Sequence, residues 1–86
     1  MQKKFSAVLY TKPGCGLCEE MKREMQSAGI EDSYTLEEVN IENDAELFRK
    51  YRYDIPVLFI DDVEAFRHRL TADEFRSYLS SPTKIS

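Results

Sequence analysis

The spacing of hydrophobic and polar positions changes several times along the chain, and each change predicts a new element. A continuous apolar run within residues 4–10 predicts a first strand covered on both faces, because a strand with one exposed face would alternate. Over residues 15–28 the apolar positions recur at helical spacing, and Gly29 then ends the pattern. We expect a helix whose buried face carries Leu17, Met21, Met25 and Ala28.

The next stretch predicts a second strand and a second helix. Residues 34–41 alternate imperfectly, and because a helix connects them to the first strand, the two strands should be parallel. Residues 43–46 have the Asx-x-x-Glu form of a capping box, so we expect Asn43 to cap a helix that ends near Arg52 or Tyr53. Its buried face would carry Leu47, Phe48 and Tyr51.

The last part of the chain predicts a hairpin and a third helix. Residues 55–61 predict a third strand with Pro56 near its start, where a missing N–H is tolerated. Two consecutive aspartates then make a tight turn, and residues 63–66 return as a short antiparallel edge strand. Residues 71–74 form a second capping box and open a helix. The buried side of this helix would carry Phe75, Tyr78 and Leu79.

The predicted elements follow the order βαβαββα, which indicates an α/β fold. We expect a three-layer sandwich in which a four-stranded mixed sheet carries helices on both faces. With 86 residues, no linker and no internal repeat, the chain is long enough for one modest core. We therefore expect one domain over residues 1–80 and a frayed tail over residues 81–86.

Charge and composition narrow the class of partner. The chain has 42% hydrophobic and 33% charged residues, and its net charge of -4 argues against nucleic acid or an anionic membrane as a partner. No apolar run approaches the length of a membrane span, and the short run after Lys3 and Lys4 does not suit a signal peptide. We expect a monomer in the cytoplasm, where a stable structural disulfide is unusual and a cycling one is plausible.

Both cysteines, Cys15 and Cys18, follow a Pro-Gly turn at the point where the first strand gives way to the first helix. A helix N-terminus and a nearby cation, here Lys12, both stabilise a thiolate, so we assign Cys15 as an attacking nucleophile. Cys18 lies one helical turn further on and can break a mixed disulfide on Cys15. Glu19 and Glu20 oppose a further negative charge nearby. The pair predicts thiol–disulfide exchange.

Two other interpretations of the cysteines remain open at this point. Buried cysteines serve as apolar filler in many cores, and two in a short chain can occur by chance. A closed zinc site needs four ligands, but beyond the cysteines the chain offers only His68 and carboxylates. We therefore predict no metal.

Two segments resemble the glutaredoxins, a branch of the thioredoxin superfamily. Residues 8–18, VLYTKPGCGLC, look like their active-site segment, and residues 55–61, IPVLFID, look like their proline-bearing third strand. The likeness extends to about Leu79 and is greatest to small glutaredoxin-like proteins. It implies a thioredoxin-like sandwich, a cis Ile55–Pro56 bond that lies against Cys15, and an oxidoreductase that serves cell redox homeostasis and electron transport.

The same resemblance suggests which residues meet the substrate. An extended disulfide substrate would lie along the backbone of Ile55 and Pro56, with Lys12 near the attacked sulfur. The expected partners are protein or small-molecule disulfides and a thiol electron donor.

One departure from the glutaredoxin pattern concerns glutathione. Glutaredoxins usually carry a Gly-Gly pair ahead of the last helix, where bound glutathione meets the backbone, whereas residues 67–71 here read RHRLT. A Cβ at these positions blocks the close approach that glycine permits. We therefore predict no resident cofactor and doubtful use of glutathione as a co-substrate. Two alternatives to an enzyme stay open: an interaction module with idle cysteines, and a dimer that shares an iron–sulfur cluster through cysteine and glutathione.

Overall fold

In the computed structural model, which describes residues 4–80, four strands and three α-helices follow one another in the predicted order βαβαββα. The strands are β1 (Phe5–Thr11), β2 (Tyr34–Asn40), β3 (Val57–Ile60) and β4 (Val63–Arg67), and the helices are α1 (Gly16–Ser27), α2 (Ala45–Tyr51) and α3 (Ala72–Ser80). Across the sheet the order is β2-β1-β3-β4. β1 runs parallel to β2, whereas β3 runs antiparallel to both β1 and β4. The predicted mixed sheet is confirmed.

The central position of β1 explains its continuous apolar run. Ala7 and Leu9 are buried in a core cluster with residues of α1 and α3. On the opposite face of the sheet, Tyr10 stacks on Tyr51 of α2, with ring centroids 5.0 Å apart. The helices therefore cover both faces, and the methionines of α1 belong to the core.

α1 and α3 lie side by side, and each supplies a side chain that caps the other. Glu24 in α1 accepts a hydrogen bond of 2.8 Å from the Ala72 N–H at the start of α3. Arg76 in α3 donates one of 2.9 Å to the Ala28 carbonyl at the end of α1. An acid at a helix N-terminus and a base at a helix C-terminus both complement the helix dipole, so the two contacts hold this helix pair together.

One of the two predicted capping boxes is confirmed and the other is wrong. At α3, the Thr71 N–H donates to the carboxylate of Glu74 at 3.1 Å. The Glu74 N–H in turn donates to the hydroxyl oxygen of Thr71, also at 3.1 Å. At α2 the cap is Asp44 rather than Asn43, and its Oδ1 accepts from the N–H groups two and three residues further on. The reason is that Ile41–Asn43 form a 3-10 turn of their own, so the helix starts one residue later.

Two apolar positions predicted to be buried lie at the surface instead. Leu17 is 37% exposed, because Cys18, three residues before Met21, takes the buried position in the first turn of α1. Tyr78 is 38% exposed and packs against Phe66 of the edge strand β4, with ring centroids 5.5 Å apart. The buried faces of α1 and α3 are therefore narrower than the sequence pattern indicates.

The helices of the described region are short and amphipathic. The longest, α1, has 12 residues, which corresponds to about 18 Å. Within residues 4–80 no helix combines the length and apolar character that crossing a bilayer requires. The tail predicted over residues 81–86 lies outside the described residues.

Candidate active site

The chain turns sharply between β1 and α1, and this turn carries both cysteines. Gly14 adopts a left-handed conformation with φ of 76°, which glycine tolerates because it lacks a Cβ. Cys15 is the N-cap of α1, and its Sγ accepts a hydrogen bond of 3.1 Å from the Cys18 N–H. The sulfur of Cys15 therefore lies at the positive end of the helix dipole.

Cys15 and Cys18 form a disulfide, and their Cα atoms are 5.2 Å apart. Cys15 is half-buried, whereas Cys18 is only 1% exposed. Cys15 packs against the buried apolar cluster that contains Cys18. The other members of that cluster are Ile41, Tyr51, Ile55 and Val57. Of the two cysteines, Cys15 is therefore the one that solvent reaches.

The segment before β3 carries Ile55 and Pro56, and the peptide bond between them is cis, as the resemblance implies. Ile55 packs in the same cluster as Cys18, so the fold brings this segment to the cysteines. The Ile55 N–H donates to the Tyr51 carbonyl at 3.1 Å, and the Pro56 carbonyl accepts from the His68 N–H at 2.7 Å. The side chain of Pro56 is itself buried. The Ile55 carbonyl is the backbone group at this bond that receives no hydrogen bond from residues 4–80.

Lys12, the residue after β1, is half-buried at the same end of the sheet. It lines a shallow pocket of about 290 Å³ beside the cysteine turn. Among residues 4–80, no carboxylate oxygen lies within 4.0 Å of its ammonium group. Its charge therefore has no direct carboxylate partner in the described part of the chain. The pocket's other lining residues are Thr11, Pro13, Glu19, Glu38 and Asn40.

A second cation, Lys22, pairs with acids near the cysteines and was missed by sequence reasoning. Its ammonium group lies 2.7 Å from Glu38 of β2 and 3.2 Å from Glu19 of α1. The hydrogen bond to Glu38 is the main cause that raises the pKa of Lys22 above its ordinary value. Glu19, expected to oppose a thiolate, is thus paired with a cation. The three-residue spacing of Glu19 and Lys22 was the only local signal for this cluster.

β4 ends at Arg67, whose guanidinium ties the proline segment to the sheet. Its Nη1 lies 3.0 Å from Oδ2 of Asp54, the residue just before Ile55. Its Nε and Nη2 each donate to Glu64 at 2.8 Å, and these bonds raise the pKa of Arg67 and lower the pKa of Glu64. His68 follows in a left-handed conformation, with Nε2 4.0 Å from Asp54. The charge of Arg67 is therefore compensated by two carboxylates, those of Asp54 and Glu64.

The start of α3 occupies the place where the resembled family carries its Gly-Gly pair. Leu70 is buried there. The N–H groups of Thr71 and Glu74 are used by the capping box, and the Ala72 N–H donates to Glu24. These three N–H groups therefore already have acceptors within the protein.

Metal-ligating side chains are not gathered within residues 4–80. No three His, Cys, Asp or Glu side chains of that range lie close enough together to share one ion. His68, the residue that a zinc site would have recruited, faces Asp54 at the end of β4.

Two sequence comparisons match most of the chain. The family described as glutaredoxin-like domain (DUF836) matches residues 6–80. The "Glutaredoxin-like protein YDR286C homolog" of Dictyostelium discoideum is 38% identical over 71 residues, which cover 76% of this chain. The same alignment covers 66% of that relative, so this chain spans just under two thirds of its length.

Solved structures match over a similar extent. The solution NMR structure of protein Ne2328 from Nitrosomonas europaea is 33% identical, with a TM-score of 0.76 over 93% of this chain and 96% of that one. The X-ray structure of target protein XcR50 from X. campestris has the same TM-score, with 23% identity over 90% of this chain and 99% of that one. Thioredoxin-2 of the malaria parasite is 16% identical, with a TM-score of 0.64 over 92% of this chain and 84% of that one. These likenesses confirm a thioredoxin-like fold.

Proposed function

The chain belongs to the family of glutaredoxin-like domains, and from this premise we propose that it is a thiol–disulfide oxidoreductase. The observation that carries the proposal is the unequal access to a bonded cysteine pair: Cys15 meets solvent at the start of α1, and Cys18 lies buried behind it. An accessible first sulfur and a protected second one are what a two-step exchange requires.

The exchange runs through a mixed disulfide on Cys15. In the reduced protein, the Cys15 thiolate attacks one sulfur of a substrate disulfide and releases the other sulfur as a thiolate, which takes up a proton. Cys18, as a thiolate, then attacks Sγ of Cys15, releases the second substrate thiol and re-forms the internal disulfide. Two electrons pass from the cysteine pair to the substrate, and an external thiol donor restores the pair.

Several contacts support Cys15 as the attacking thiolate. Its Sγ accepts the Cys18 N–H at the helix start, an arrangement that favours a negatively charged sulfur. Lys12 adds a cation without a direct carboxylate partner among residues 4–80, and Lys22 pairs with Glu19. The negative charge of Glu19 is therefore partly compensated by a cation that the sequence alone does not place beside it.

The substrate's backbone lies along Ile55 and Pro56 in this proposal. The Ile55 N–H is engaged by Tyr51, so the carbonyl of Ile55 is the group that can accept a hydrogen bond from an extended substrate. Pro56 is buried, and its carbonyl is engaged by His68, so Pro56 shapes the segment rather than binding the substrate.

The electron donor that fits best is a dithiol or a thioredoxin-reductase-type protein. Glutathione has two carboxylates and one ammonium group, and Lys12 can meet one carboxylate through a charge-assisted hydrogen bond. The other end of glutathione finds three N–H groups at the start of α3 already bonded, and Arg67 already paired with Asp54 and Glu64. We further propose that the protein acts as a monomer in the cytoplasm.

An equilibrium redox titration tests the function. The protein is equilibrated in dithiol buffers of graded potential, alkylated, and weighed by mass spectrometry. We expect one transition in which both cysteines gain or lose their thiols together, and catalysed reduction of a protein disulfide by the reduced form. A pair that stays oxidised throughout, or that reacts with no disulfide substrate once reduced, would instead favour a non-enzymatic interaction module.

A further inference from the structure

The last turn of α2 and the residues just after it form a surface that is both basic and aromatic. We call it the α2 basic surface and define it by Phe48, Arg49, Lys50, Arg52 and Tyr53. Among residues 4–80, no carboxylate oxygen lies within 4.0 Å of any of its three cations. In a chain with a net charge of -4, this is a local reversal of sign.

Arg52 lies at the centre of this surface, in contact with two aromatic rings. Its guanidinium carbon lies 5.5 Å from the ring centroid of Phe48 and 4.6 Å from that of Tyr53. One of its N–H groups donates to the Tyr53 hydroxyl at 2.8 Å, which leaves the other donors of the fork for a ligand. These contacts orient the guanidinium, so binding of a carboxylate costs less side-chain entropy here than at an arginine without such contacts.

Tyr53 gives the surface an aromatic group that folding does not explain. Its side chain is 79% exposed, the largest value among the exposed large hydrophobic residues of the described region. Basic residues at a helix C-terminus suit the helix dipole, which accounts for Arg49 and Lys50. The dipole does not account for an exposed tyrosine stacked on an arginine, and these two residue types are enriched in the centres of protein interfaces.

The α2 basic surface adjoins the candidate active site. Phe48 packs against the apolar cluster of Cys18 and Ile55, and Cys15 packs against the same cluster. Tyr53 precedes Ile55 by two residues. The surface is therefore joined to the cysteines through this cluster and to the proline segment through the chain, which puts it near the proposed path of a substrate.

We infer that the α2 basic surface binds an acidic polypeptide segment that flanks the disulfide of the protein substrate. The inference rests on the proposed function. A short acidic segment matches the three cations and the exposed ring. A long polyanion such as nucleic acid fits less well, because Glu42, Asp44 and Glu46 lie at the other end of α2.

Matched peptide substrates test this inference. Two peptides carry the same internal disulfide, one flanked by Asp and Glu and the other by Asn and Gln, and a small neutral disulfide serves as the reference. Rates are measured for the wild type, for Arg52→Gln, for the triple variant Arg49→Gln/Lys50→Gln/Arg52→Gln, and for Arg23→Gln, which removes an exposed arginine of α1 as a control.

At low ionic strength, the wild type should reduce the acidic peptide about tenfold faster than the neutral one. The ratio of the rate for the acidic peptide to the rate for the neutral peptide should fall in Arg52→Gln and approach one in the triple variant. It should also approach one in high salt, and it should be unchanged in Arg23→Gln. Because the ratio is taken within each variant, a general loss of activity does not affect it. Equal rates for both peptides in the wild type, or an acidic preference that survives in the triple variant, would overturn the inference.

A binding measurement separates this inference from the proposed function. The double variant Cys15→Ser/Cys18→Ser cannot exchange disulfides, yet it should still bind a fluorescein-labelled acidic peptide, with anisotropy that falls as salt rises. Loss of that binding in the triple surface variant supports the docking surface even if no disulfide is ever reduced. Absence of binding, or equally tight binding of a single-stranded oligonucleotide at the same site, would contradict the inference.

Discussion

The guanidinium Nη1 of Arg67 lies 3.0 Å from Oδ2 of Asp54, which joins the end of β4 to the residue that precedes the cis Ile55–Pro56 bond. The His68 N–H reinforces this connection through the Pro56 carbonyl. The segment proposed to receive the substrate is therefore held by contacts with the end of the edge strand β4, and not with β1. An exposed ion pair of this kind contributes little to stability, so we expect it to act by positioning Asp54 and the proline segment.

Arg67→Gln should slow the reduction of a protein disulfide several-fold more than that of a small disulfide, because only an extended substrate depends on where Ile55 lies. Glu64→Gln is the matched control, since it removes the other partner of Arg67 and leaves Asp54 in place. Rate constants for the protein disulfide and the small disulfide, measured for both variants, test this prediction. Identical behaviour of Arg67→Gln and Glu64→Gln would remove the positioning role.

Glu24→Ala should destabilise the protein by about 0.5–2 kcal/mol, the range typical of a lost helix cap, because the Ala72 N–H loses its acceptor. Glu20→Ala, four residues earlier on the exposed side of α1, should change the free energy of unfolding by about 0.5 kcal/mol or less. Urea denaturation of the oxidised protein measures both. Equal losses in the two variants would show that the contact between α1 and α3 adds nothing.

Stability should fall at alkaline pH because of Tyr34. Burial is the main cause that raises its pKa, with a contribution from Glu31, so the folded protein keeps this proton more firmly than the unfolded chain does. The resulting stabilisation is complete below the pKa of an unfolded tyrosine, about 10, and is lost as the pH rises through the folded value. Unfolding free energies should decline less steeply above about pH 10 in Tyr34→Phe than in the wild type or in Tyr78→Phe. Parallel declines in all three proteins would refute the assignment.

Glutathione should be a poor electron donor. In an assay coupled to glutathione reductase, turnover of a glutathione mixed disulfide should be at least about tenfold slower than turnover driven by a dithiol, a difference of about 1.4 kcal/mol in activation free energy. The reason is that the start of α3 and Arg67 are already engaged within the protein. Efficient, saturable turnover with glutathione that is lost in Lys12→Ala would restore an ordinary glutaredoxin mechanism.

The sequence predicts those features whose signals lie within a few residues of one another. The Thr71 and Glu74 capping box and the turn that presents Cys15 and Cys18 are of this kind, and both are present. The cap of α2 was misplaced by one residue because Asn43 and Asp44 are both good caps, and only the preceding 3-10 turn decides between them.

Contacts between residues that are far apart in the sequence could not be predicted, because they leave no local pattern in it. Glu24 reaches the N–H of Ala72 across 48 residues, and Asp54 meets Arg67 only because the fold places the end of β4 beside the proline segment. The unequal exposure of the cysteines likewise depends on the cluster that α2 and the proline segment complete around Cys18. These contacts and the exposure of the cysteines are also the features that most affect which substrate and which electron donor the protein can use.

Trapping of a mixed disulfide tests the central claim most directly. Cys18→Ser, reduced and then mixed with an excess of a peptide disulfide, should stop after the first attack and carry one substrate thiol on Cys15, because the resolving sulfur is gone. Intact-mass spectrometry with peptide mapping locates the adduct. Cys15→Ser should carry none, since Cys18 is only 1% exposed in the oxidised fold. An adduct on Cys18 in Cys15→Ser, or no adduct on Cys15 in Cys18→Ser, would contradict the assignment of Cys15 as the nucleophile.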